Sequence, residues 1–97
     1  MRLRYDQRAI SDLARIFDYI SEDNPAAAKR VIARIRALAE QTARRPQLGR
    51  KTDIEGLFVR SVVTYPYLIF FAVRPREVVI LHVRHTARHE ADPSEII

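Results

Sequence analysis

The sequence has no cysteine, no tryptophan, one methionine and only two glycines, Gly49 and Gly56. Without thiols it has no disulfide framework, no thiolate metal site and no cysteine nucleophile. Its longest apolar run, Tyr67–Val73, has 7 residues, far short of the ~20 that cross a bilayer. The N-terminus opens on Arg2, Arg4, Asp6 and Arg8 and shows no apolar core of a signal peptide, so a cytoplasmic chain with no membrane partner is expected. Repeats and low-complexity tracts are missing too. The 97 residues, 47% apolar and 30% charged, have ordinary globular composition and suffice for a single core. One domain over residues 1–90 with a polar tail over residues 91–97 is the expected organisation.

Basic residues, in contrast, are plentiful. Seventeen Lys and Arg face twelve Asp and Glu, a net charge of +5 with an isoelectric point near 10.2. All but Lys29 and Lys51 of the basic set are arginine, a planar, permanently charged fork suited to carboxylates and phosphates. The excess is concentrated after residue 40. An acidic partner follows, either nucleic acid or an acidic protein segment. Taken singly, each arginine reads as solvated surface.

Patterning predicts the elements. Leu3 and Tyr5 alternate as a short strand. Ile10, Leu13, Ala14, Phe17 and Ile20 then form one stripe at helical spacing, with Asp6 placed as an N-cap. Asn24-Pro25 restarts the chain as N-cap and first helical residue. Ala28, Val31, Ile32, Ile35, Leu38, Ala39 and Thr42 continue as a second stripe, and the short gap between the two helices predicts an antiparallel hairpin. Residues 46–53 read as a polar loop. Residues 57–64, Tyr67–Val73 and residues 78–83 are rich in β-branched and aromatic side chains and predict three strands. The last two are joined through Arg74-Pro75-Arg76-Glu77. The middle strand is apolar on both faces and is placed centrally. The predicted fold is α+β, in the order β-α-α-β-β-β, with the helix hairpin packed on a small antiparallel sheet of three or four strands.

This layout resembles the RelE/ParE superfamily of toxins from type II toxin–antitoxin modules, and its ParE-like (plasmid-stabilisation) branch most closely. The matching landmarks are Asn24-Pro25-Ala26-Ala27-Ala28, Pro46-Gln47-Leu48-Gly49-Arg50, Gly56-Leu57-Phe58-Val59-Arg60, residues 65–71, and the stretch from Ile80 that ends in His85-x-x-Arg88. The resemblance implies a toxin held inactive by a cognate antitoxin, expected to be ParD-like with an acidic C-terminal segment. Operator DNA would be reached only through that antitoxin. It implies DNA gyrase as the target of ParE-like members and mRNA in the ribosome as that of RelE-like members.

Side chains bear on the choice between these targets. RNA cleavage needs a base, an acid and cations for the phosphorane. Arg60, Arg84, Arg88, His82, His85, His89, Tyr65 and Tyr67 supply the types, and Arg60, His85 and Arg88 would form the catalytic set of a nuclease. Val63 and Leu68, however, stand where the RelE-like branch tends to carry arginine. Gyrase poisoning needs only a gripping surface, for which Arg84, His85 and Arg88 come first, then Arg60 with Arg50 and Lys51. A non-toxic binding protein of the same fold is the third reading. His82, His85 and His89 do not read as a zinc site, because strand alternation separates His82 from His85; no metal or cofactor is expected, and His82 reads as a partly buried sheet histidine. Ile16 and Tyr19 fall outside the first helical stripe and are the candidates for antitoxin contact.

Overall fold

The computed structural model describes residues 1–87; Arg88, His89 and the expected tail lie outside them. The order is β1 (Arg2–Tyr5), α1 (Gln7–Ser21), α2 (Pro25–Arg44), a 3-10 turn (Pro46–Leu48), β2 (Arg50–Lys51), β3 (Phe58–Ser61), β4 (Tyr67–Val73) and β5 (Glu77–His85). The predicted order therefore holds, but the sheet is larger and mixed: five strands in the order β1-β5-β4-β3-β2. Strands β2 to β5 pair antiparallel, whereas β1 runs parallel to β5, with Leu3 opposite Val78 and Tyr5 opposite Ile80. The helix hairpin carries the chain from β1 at one edge to β2 at the other, and the antiparallel meander of β2 to β5 then returns β5 to lie parallel beside β1. Strand β2 forms inside the predicted loop, where Arg50 and Lys51 pair with Val59 and Phe58. Strand β4 is central, as its two apolar faces required.

Helix α2 follows its pattern closely. Asn24 Oδ1 accepts the Ala27 N–H at 3.0 Å and caps the helix, with Pro25 in its first turn. Ala28, Val31, Ile35, Leu38, Ala39, Thr42 and Ala43 are buried. Buried Thr42 satisfies its hydroxyl on the Leu38 carbonyl at 2.8 Å. Helix α1 departs from the prediction. Its inward face is Ala9 and Asp12, with Leu13, Ile16 and Ile20 packed on the core. The predicted stripe is turned partly outward, leaving Ile10 49% exposed and Ala14 exposed. Asp6 occupies the N-cap position but makes no side-chain cap bond; its N–H instead donates to Ile80 C=O at 2.9 Å, tying the helix start to β5.

The pairing of β4 with β5 is interrupted once. Phe70 pairs with His82 and Phe71 with Ile80, leaving Leu81 as an extra residue. This bulge lets Ile80 and Val83, three residues apart, both enter the helix-side core, which regular alternation forbids. A smaller cluster of Leu57, Val59 and Phe70, with Ile54, Leu68 and Leu81 packed on it, occupies the other face.

Candidate functional site

Helix α1 has a depression on each flank. On one side Tyr5, Ile10, Leu13, Ala14, Phe17, Ile32 and Arg36 line a groove of about 370 Å³ between the two helices. Most of the predicted α1 stripe lies here, with Ile10 and Ala14 exposed and Leu13 also packed on the core. Of its lining side chains only Arg36 is charged.

On the other flank, α1 and the end of β5 enclose a cleft of about 460 Å³. Its lining includes Asp12, Arg15, Ile16 and Tyr19 from α1, Tyr67 from β4, and Val83, Arg84 and His85 from β5. The structure thus brings together residues that the sequence assigned to two separate tasks. Tyr19 is 64% exposed, whereas Ile16 is half-buried and also packs on the core. Arg84 Nη1 donates to the His85 carbonyl at 3.3 Å, and its guanidinium carbon sits 5.5 Å from the Phe70 ring centre, a cation–π contact. His85 meets Tyr67 edge-on at 5.3 Å. Its Nδ1 accepts the Ala87 N–H at 3.1 Å. An imidazole that accepts at Nδ1 carries its proton on Nε2, so in this arrangement His85 offers a donor at Nε2.

The other predicted cations lie elsewhere. Arg60 on β3 does not line the cleft; its Nη1 donates to Gln41 Oε1 at 3.0 Å and Thr42 Oγ1 at 3.2 Å near the end of α2. Burial, and then the neighbouring Arg34 charge, hold its guanidinium below the usual arginine value. Arg50 and Lys51 are on β2 at the far edge of the sheet, with β3 and β4 between them and β5. Both are exposed. Arg88 and His89, assigned to the target surface and to the nuclease chemistry, fall beyond the described residues.

Asp12, like Arg15, Asp18 and Glu22, lines the cleft without having been singled out by the sequence analysis. Asp12 is only 3% exposed. Its Oδ2 is 2.6 Å from His82 Nδ1 and accepts the Val83 N–H at 3.0 Å, while Oδ1 pairs with Arg15 Nη2 at 2.5 Å. His82 is accordingly fully buried, with its ring stacked on Phe70 at 5.9 Å. The available signal was an acid at i+3 from Ala9 and four residues before Ile16, on what proves to be the inward face.

Comparison with known proteins agrees with this architecture. Residues 3–90 match the family model described as the ParE toxin of the type II toxin–antitoxin system, parDE. The chain is 37% identical over 81 residues to Toxin RelE2 of Caulobacter vibrioides, covering 84% of this chain and 90% of that one. It is 35% identical to Toxin RelE3 of the same organism, over 81% of this chain and 87% of that one. A solved chain of the chromosomal ParDE TA system from P. aeruginosa superposes with a TM-score of 0.79 at 23% identity, covering 88% of this chain and 95% of that chain, and shares the fold. Sequence match, element order and sheet arrangement converge: the chain belongs to the ParE toxin family of type II toxin–antitoxin systems.

Proposed function

We propose that the chain acts by binding: it inhibits DNA gyrase and so blocks replication, and it is held inactive by a cognate antitoxin. The observation that carries this reading is the division of the nuclease set. Arg60 is engaged by Gln41 and Thr42 away from the cleft, while His85 presents a donor at Nε2 because Nδ1 holds the Ala87 amide. RNA cleavage needs a base beside the 2′-hydroxyl and cations on the same phosphate. Gripping a phosphate or carboxylate needs only donors, and Arg84 with His85 supplies them at one rim.

The antitoxin is assigned to the apolar groove between α1 and α2. An apolar strip of exposed Ile10 and Ala14 with half-buried Leu13 and Phe17 fits the apolar face of an amphipathic helix. Arg36 at the groove, and the net +5 charge, favour an acidic segment. Tyr19 and Ile16 would extend the contact over α1 to the cleft, so that one partner could cover the target-binding rim. The structural neighbour from a ParDE system supports an antitoxin partner.

Induced expression without the antitoxin tests the proposal. DNA synthesis should fall first, with transcripts intact while translation continues. Relatives carrying the RelE name define the opposing outcome: transcripts cut on translating ribosomes before replication slows would replace gyrase with mRNA as the target. Harmless expression would leave only the binding protein.

A further inference from the structure

Strand β1 ends at Tyr5, opposite Ile80, yet β5 continues to His85. Among the described residues, β5 beyond Ile80 therefore has no strand beside it on that flank. An open edge exposes N–H groups that need acceptors. Asp12 fills the gap: a single carboxylate takes the Val83 N–H and stands against the His82 ring, on the stretch of β5 that β1 leaves uncovered. A carboxylate on the inward face of a helix is costly to desolvate unless donors surround it, and here the backbone amide, the imidazole and Arg15 do so. The residues that follow Val83 are Arg84 and His85, which line the rim of the cleft.

We propose that Asp12 is the positioning residue of the cleft. It substitutes for a missing strand and clamps the Val83–His85 end of β5 to α1, so that Arg84 and His85 stand ready for the target. The inference rests on the proposed function only in taking that rim as the target surface; the clamp itself is tested separately. A carboxylate acceptor gives the Val83 amide ladder-like protection although no strand lies on the flank it faces, and requires the His82 ring proton on Nδ1.

Amide exchange and imidazole ¹⁵N spectra of the protein test this directly. In the wild type, Val83 N–H should exchange as slowly as the ladder amides of β4, and His82 should show the Nδ1–H tautomer. In Asp12→Ala, and less severely in Asp12→Asn, Val83 exchange should quicken by about tenfold or more while Ile69 and Phe71 keep their protection, since local opening differs from global unfolding. Growth arrest should be lost, with binding to the antitoxin encoded alongside retained. Wild-type Val83 exchanging at loop rates, or uniform loss of protection across the sheet in both variants, would overturn the clamp. If Arg84→Ala with His85→Ala remains fully toxic, the target surface is wrong, and the Val83 measurement still decides the role of Asp12.

Discussion

Side chains in this fold acquire roles from small rotations of the element that carries them. Ile10 and Ile16 show it. Spacing put Ile10 in the helical stripe and Ile16 outside it, but the core takes Ile16 and leaves Ile10 at the groove. Ile10→Asp should therefore weaken antitoxin binding by about tenfold while changing stability by no more than ~0.5 kcal/mol, as a surface substitution does. Ile16→Asp should cost roughly 2 kcal/mol or more, because it sets a charge against packed apolar groups. Titration calorimetry paired with denaturant unfolding checks both. Tyr5 gives a pH prediction. Burial raises its phenol above the ordinary value, Arg36 opposes this and Glu40 adds to it. The folded state thus holds that proton more tightly than the unfolded chain. Stability should be intact below about pH 10 and decline as the pH rises through the folded-state value. Unfolding free energies at neutral and strongly alkaline pH, compared between wild type and Tyr5→Phe, test it; an equally steep decline in the variant would contradict it.

At the scale of elements, legibility follows from how much of each element is decided locally. Helix α2 carries its own start signal, and its stripe faces one continuous core, so its extent and most of its buried face could be read. Asn24→Ala should remove about 1 kcal/mol by leaving the Ala27 N–H uncapped, measurable as a shifted urea midpoint. The inward face of α1 was misread because Asp12 interrupts it, and only the distant Val83 and His82 make a buried acid acceptable there. Strand β2, of 2 residues, was illegible for a similar reason: it exists by pairing with β3, and carries no periodicity of its own. The same holds for the bulge at Leu81, visible only once β4 lies alongside. Gly49 marks the approach to β2, where a Cβ would run into the Phe71 ring. Gly49→Ala should destabilise by about 1–3 kcal/mol through overpacking, read in the same unfolding experiment; an unchanged midpoint would mean that Phe71 yields freely.

Across the whole molecule, α1 is a partition. Its outer flank is apolar and fits the proposed inhibitor helix; its inner flank sets Asp12, Arg15, Ile16, Asp18, Tyr19 and Glu22 beside Arg84 and His85 at the end of β5. The net charge of +5 favours acidic partners for the molecule as a whole, while Arg50 and Lys51 lie on the opposite edge of the sheet. The candidate site was partly legible: Arg84, His85, Ile16 and Tyr19 were identified one by one, but their convergence depends on how α1 crosses the sheet, which helical spacing does not encode. Gripping rather than cutting is the claim that joins these surfaces to an activity. Its most direct measurement is the covalent gyrase–DNA complex formed on relaxed plasmid as purified protein is added, for the wild type and for Arg84→Ala with His85→Ala. The account predicts accumulation of that complex with the wild type and its loss with the double variant; wild-type protein that traps no complex, in a preparation that severs mRNA on ribosomes, would contradict it.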